Sequence, residues 1–388
     1  MKVTPQMSFS FRATSLGLAA TALAGGALLL ASAAPAPMAE KPSETAESTD
    51  PIIDYRDGER ISAERLRDTV EPMFEAEEFA ETRAIIIVED GEIIAERYAE
   101  GYDRETRFIS WSMAKTVTSV LIGILVSDGR LALDEPAPVP EWQRPGDPRG
   151  AITLRQLLHM SSGLDHTEAG DPPYESDEVR ALFLDGAADA AGYAKAKTLE
   201  AQPGEQFEYS TNTSFILSDI ITRELTDSTD PDVRQRVMAQ FIKGRLTEPL
   251  GLTSMFPEYD AAGTMLGGSL IHASARDWAK FGEFLRNGGA VDGNQILPKS
   301  WIRFMLTSTE IDPAYAGHIW LNKERTGGRN PVLFPNNGPD NVFAMLGHLG
   351  QKVIVSPDKR VTMVRLGKTQ DEVGAPIDRK MGEILAVL

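Results

Sequence analysis

The sequence predicts an α/β (α+β) chain in which one antiparallel sheet layer, flanked by helices, is interrupted by an all-helical insertion. Three observations carry that prediction. Runs rich in β-branched residues lie near both ends, at 84–95 and 343–366, and the stretch between about 131 and 290 has apolar residues at three- and four-residue steps. No internal repeat is present. With 388 residues, 42% hydrophobic and 25% charged, the chain has the make-up of an ordinary globular protein able to build a large core.

Residues 1–33 stand apart. Lys2 and Arg12 flank a polar start, an apolar run extends from Leu16 to Ala31, and Ala31-Ser32-Ala33 offers a small-x-small cleavage site, the form of a secretory signal peptide cleaved after Ala33. The run, broken by Gly25-Gly26, is short for a membrane span. The expectation is a periplasmic or secreted protein; an uncleaved anchor is the alternative, and the only route to a membrane. Residues 34–50, rich in Ala, Pro, Glu, Ser and Thr, read as a flexible linker, so the folded domain covers 51–388.

Within it, Ile61, Leu66, Val70 and Met73 recur at helical spacing over 59–76. Ala84–Val88 and Glu92–Ala95 flank Asp90-Gly91, a hairpin signal. The sheet layer is thus expected from about 51–130 and 291–388. In the insertion, segments 154–158, 215–221 and 278–285 are helical; at the end, 343–346, 352–355 and 361–366 read as antiparallel strands and 379–388 as a closing helix.

Composition excludes several functions. There is no cysteine, which removes thiol nucleophiles and Cys-based zinc sites, and the five histidines have no metal-ligand spacing, so no metal is expected. The net charge of −18, near −20 once Lys2 and Arg12 are cleaved away, repels nucleic acid and anionic lipid.

The chemistry centres on Ser112-Met113-Ala114-Lys115, followed by small and aliphatic residues up to Asp128-Gly129. The serine opens a buried helix, and the i,i+3 lysine shares its face. A serine hydroxyl needs a base, and a neutral amine can serve. Lys115 would then have to fall from a pKa of about 10.4 by roughly three pH units, about 4 kcal/mol, through burial or neighbouring charge. Alternatively a tyrosine acts as a phenolate stabilised by charged Lys115, the two titrating as a unit. Spacing alone decides nothing, because Ser356-Pro357-Asp358-Lys359 has it too, between two strand-like runs where it reads as a turn.

Tyr209 is the strongest tyrosine candidate. It lies between Pro203-Gly204 and Ser210-Thr211-Asn212-Thr213, turn-forming residues that give its loop a fixed shape, although an aromatic helix cap reads equally well. Tyr174 and Tyr193 lack that setting. In Gly347-His348-Leu349-Gly350-Gln351, two glycines interrupt a strand, marking either a plain bulge or a place where a backbone approaches the helix start at Ser112 and supplies oxyanion donors.

These segments resemble, in order and separation, the serine β-lactamase and penicillin-binding-protein superfamily on its class C β-lactamase and carboxylesterase branch. The likeness spans nearly all of 51–388 and includes Ile152–Leu164, which looks like the helix and loop after the nucleophile. The context Ser110-Trp111-Ser112-Met113, the stretch Ser274–Gly282 and Gly347-His348-x-Gly350-Gln351 are most similar to the 6-aminohexanoate-dimer hydrolase type.

The resemblance implies a β-lactamase-like sheet with a helical subdomain and a site between them. It also implies Ser112 as nucleophile, Lys115 as base and Tyr209 as proton relay. The backbone N–H groups of Ser112 and Gln351 would be the oxyanion hole, with Trp111, Thr211, His348 and Gly350 on the substrate, and no cofactor.

Thr211 stands where the family has Asn, and His348 where it has the Lys that holds a substrate carboxylate. Loss of that cation, worth roughly 1 to 3 kcal/mol, favours a small ester or amide substrate over a β-lactam or D-Ala-D-Ala terminus. The rival readings are a β-lactamase or D-alanyl-D-alanine peptidase, and a non-catalytic binding protein on the same scaffold.

Overall fold

The computed structural model describes residues 51–388 except 76, 329, 336, 337 and 371–373; the expected signal segment and linker lie outside the described residues. The strands are β1 (Ile53–Tyr55), β2 (Glu81–Glu89), β3 (Glu92–Tyr98), β4 (Arg107–Ile109), β5 (Phe256–Pro257), β6 (Ile271–Ser274), β7 (Ala290–Val291), β8 (Asn294–Gln295), β9 (Trp320–Leu321), β10 (Phe343–Gly347), β11 (Gln351–Ser356) and β12 (Val361–Lys368). Seven of them form one sheet in the order β1-β3-β2-β12-β11-β10-β9, with every neighbouring pair antiparallel. The two ends of the sequence therefore meet where β12 pairs with β2, from Val361↔Glu89 to Lys368↔Glu81. A smaller sheet joins β4, β6 and β5, and β7 pairs with β8.

The strand alternation explains the two layers of core. Ile85, Ile87, Ile354 and Met363 face one way, against Leu66 and Val70 of helix α1 (Ala63–Val70), Met73 of α2 (Pro72–Glu75) and the C-terminal helix. Ile86, Val88, Val353, Val355 and Val364 face the other. The single helix expected over 59–76 is broken at Pro72, which has no N–H to give to the preceding turn. Its start is fixed by Ser62, whose side chain accepts from Arg65 N.

The remaining helices are α3 (Ala114–Ser127), α4 (Leu154–Leu158), α5 (Asp177–Phe183), α6 (Ala190–Lys195), α7 (Thr211–Leu225), α8 (Pro231–Ile242), α9 (Glu248–Leu250), α10 (Ala275–Arg286), α11 (Lys299–Met305) and α12 (Gly374–Val387). Helix α12 begins five residues before the expected 379. Helix α10 belongs to the sheet layer, because Gly282 lies directly against Thr362 and Val353 and Phe281 shares their core. The helical insertion therefore ends before the expected residue 290.

Ser356 closes β11 and Lys359 sits in the turn to β12, so the second Ser-x-x-Lys is hairpin punctuation.

Candidate active site

Ser112 is the middle residue of a short 3₁₀ turn, Trp111–Met113, that leads into α3. Backbone N–H groups at such a helix start have no internal acceptor, which leaves the Ser112 N–H for a ligand. Trp111 has a φ of 46°, a left-handed conformation that non-glycine residues adopt sparingly and that concentrates at functional sites.

Lys115 follows in the first turn of α3 and is 1% exposed. Its Nζ lies 2.8 Å from Ser112 Oγ, 2.7 Å from Thr211 Oγ1 and 3.0 Å from the Gly268 carbonyl. Three protons thus meet three oxygens, as an ammonium group requires. Nζ also stands 4.8 Å from the centre of the Tyr209 ring, which places Tyr209 against the Ser112–Lys115 pair. The loop that carries Tyr209 is pinned by Glu208 N to Met160 O (2.8 Å) and Gly204 N to Ser161 O (2.7 Å). Tyr174 is exposed and Tyr193 is tied to Asp177 (2.5 Å).

Two carboxylates back this cluster. Glu168 accepts from Thr211 N (2.6 Å) and from Thr211 Oγ1 (2.7 Å), and its Oε1 is 3.8 Å from Lys115 Nζ. Glu178 Oε1 lies 3.4 Å from Thr211 Oγ1 and accepts from Ser269 Oγ at 3.3 Å.

Their charge bears on the state of Lys115. Burial would push Lys115 down, but Tyr209, Glu168 and Glu178 outweigh it and hold its pKa above the ordinary lysine value. That direction favours the second of the two expected arrangements, a charged Lys115 beside Tyr209, over the neutral amine. Burial, with Glu168, raises Tyr209 against the opposing pull of Lys115. Burial and the adjacent Glu168 charge lift Glu178 to about 7.

The cluster opens into a cleft of about 630 Å³. Its walls are largely apolar, with Trp111, Leu182, Phe183, Trp320, Val332 and Leu346, and Glu168 and Glu178 reach it as well. His348 stands at the mouth, its ring edge-on to Trp111 at 5.3 Å. Thr211 is fully buried beneath the cluster and Gly350 lies behind the strand, so neither lines the cleft where a substrate would touch it.

Gln351 is also displaced from its expected role. Gly347 and Gln351 face each other across β10 and β11, and Asn322 N bonds Val342 O on the opposite edge of β10. Antiparallel alternation then directs the Gln351 N–H to the Gly347 carbonyl, inside the ladder. A trans peptide turns the next N–H the opposite way, so that of His348 faces the cleft edge. Gly347 is glycine because a Cβ there would run into the Ser110 carbonyl.

A family model described as Beta-lactamase matches residues 74–386. The chain belongs to the beta-lactamase family. A 6-aminohexanoate-dimer hydrolase of Paenarthrobacter ureafaciens is 23% identical over 238 residues, 58% of this chain and 57% of that protein, so the match spans little more than half of that relative. Among solved structures, a Bacillus anthracis protein assigned as a 6-aminohexanoate-dimer hydrolase aligns with a TM-score of 0.65 at 22% identity, covering 81% of each chain. A family VIII carboxylesterase aligns at 0.60 and 16% identity, covering 86% of this chain and 100% of the other. These likenesses show a common fold, and the family is one of serine hydrolases.

In this member of the beta-lactamase family the fold brings Ser112, Lys115, Tyr209, Thr211, Trp111 and His348 together. Glu168 and Glu178 escaped sequence reasoning. They lie 43 and 33 residues before Thr211 on a loop and on a short helix. No local pattern distinguishes them from the chain's many other acids.

Proposed function

We propose that the protein is a serine esterase or amidase acting on small acyl compounds that are uncharged near the scissile bond. The observation that carries this reading is the convergence of Ser112 Oγ, Lys115 Nζ and the Tyr209 ring at the floor of an apolar cleft lined by the acidic side chains of Glu168 and Glu178. A carboxylate-bearing β-lactam would meet Glu168 and Glu178 and find no arginine or lysine among the lining residues.

In the reactive form Tyr209 is a phenolate held by charged Lys115, and as Ser112 Oγ attacks the acyl carbon its proton passes to that phenolate oxygen, leaving Tyr209 neutral and Lys115 charged. Tyr209 then protonates the departing alkoxide or amine. Water cleaves the acyl-enzyme by the reverse path, and the N–H groups of Ser112 and His348 stabilise the oxyanion in both steps.

The test is turnover of p-nitrophenyl acetate and butyrate, with nitrocefin alongside and Ser112→Ala as control. Ester cleavage that vanishes in the variant, with slow nitrocefin hydrolysis, is the expected result. Cleavage that persists in Ser112→Ala contradicts the nucleophile, and fast nitrocefin hydrolysis contradicts the substrate class.

A further inference from the structure

Arg365, in the middle of β12, is 0% exposed, yet its hydrogen-bond partners among the described residues are all neutral. Nη1 donates to the carbonyls of Gly350 (3.0 Å) and Leu349 (3.4 Å). Nη2 donates to Thr369 Oγ1 (2.7 Å), Thr82 Oγ1 (3.1 Å) and the Glu81 carbonyl (3.2 Å). Burial draws its pKa down to about 10, so the guanidinium is still charged at neutral pH. Room for it is made by two glycines: a Cβ on Gly350 would come within 2.6 Å of Nη1, and one on Gly367 within 2.8 Å of Nη2.

What this buried charge holds is the three-residue hairpin between β10 and β11. Leu349 sits there with φ 58°, a conformation that a branched side chain adopts only when its surroundings impose it. Gln351 secures the same turn from the other side, its Nε2 donating to His348 O (3.2 Å), Leu349 O (3.3 Å) and Gly367 O (2.6 Å) while its Oε1 accepts from Gly367 N (3.0 Å). All three hairpin carbonyls are therefore bonded by these two side chains.

We infer that Arg365, with Gln351, is a positioning residue for the reaction: it locks the His348–Gly350 hairpin so that the His348 N–H keeps its place opposite Ser112. This rests on the hydrolase reading above. An oxyanion donor acts only if it is fixed before the charge develops, so a loosened hairpin should cost transition-state stabilisation and leave ground-state binding nearly intact.

The experiment measures kcat and KM for p-nitrophenyl acetate, with melting temperature, in Arg365→Met, Arg365→Lys and Gln351→Met. Arg234→Met is the control, since Arg234 is another buried arginine, bonded to Asp219 and Thr264 away from the cleft. The expected result is a fall in kcat on the order of 10²-fold in Arg365→Met with KM within about threefold, partial rescue in Arg365→Lys, and a lowered melting temperature with unchanged kcat in Arg234→Met. Should Arg365→Met not fold, Gln351→Met and Arg365→Lys carry the same split. Folded Arg365 and Gln351 variants that lose stability but keep wild-type kcat would overturn the positioning role while Ser112→Ala remains inactive. Turnover that survives Ser112→Ala would remove the hydrolase reading and this inference with it.

Discussion

On the helical side of the cleft, Lys115 is buried among groups that carry or move charge: Ser112, Tyr209, Thr211, Glu168 and Glu178. On the sheet side, the Gly347–His348 backbone presents a neutral dipole, and its support, Arg365, is a buried charge satisfied by carbonyls and hydroxyls alone. The difference follows from what each side must do. Proton transfer needs groups whose charges answer one another, so their pKa values are coupled. Oxyanion stabilisation needs a donor that does not move, which a hairpin locked by hydrogen bonds provides whatever the pH.

The comparison breaks most sharply on the helical side. Lys115→Met and Tyr209→Phe should each lower kcat/KM for p-nitrophenyl acetate by about 10² to 10⁴-fold, and the double variant should cost little more than either, as groups acting as a unit do. Additive losses, read from steady-state kinetics, would mean that the two work in separate steps.

A smaller effect sharpens the charge argument through stability. Glu178 has a folded pKa of about 7 against an ordinary 4.5, so the native state holds a proton that the unfolded chain has released. Its stabilising contribution is complete below about pH 4.5 and is lost as pH rises through 7. Calorimetry should therefore find Glu178→Gln melting on the order of 2 °C above wild type at pH 8 and level with it at pH 4.5. A lower melting temperature at pH 8 would show that Glu178 is held ionised.

Most of this architecture was legible because the signals were local. The hairpin around Asp90-Gly91, the terminal strands and the apolar helix after Ser112 each announce themselves within some ten residues, and Tyr209 was marked by its turn-forming neighbours. The break at Pro72 and the attachment of α10 to the sheet were less so, since helical spacing says nothing about which surface a helix covers. Glu168, Glu178 and Arg365 could not be found that way, because their meaning depends on contacts across the fold, as with Arg365 and Thr82. Gln351 was misread for a related reason: the motif placed the right segment, but strand register decides which N–H faces out.

The central claim is that Lys115 works as a cation kept charged by the carboxylates behind it. The pH dependence of kcat/KM, measured for wild type and Glu168→Gln, tests it most directly. Glu168 raises Tyr209, which takes the Ser112 proton as the phenolate, so removing the Glu168 charge should move the alkaline rise in activity to lower pH; because Glu168 also raises Lys115, the fall at still higher pH, where the cation is lost, should move the same way. A rise that stays in place, or moves to higher pH, would contradict the account.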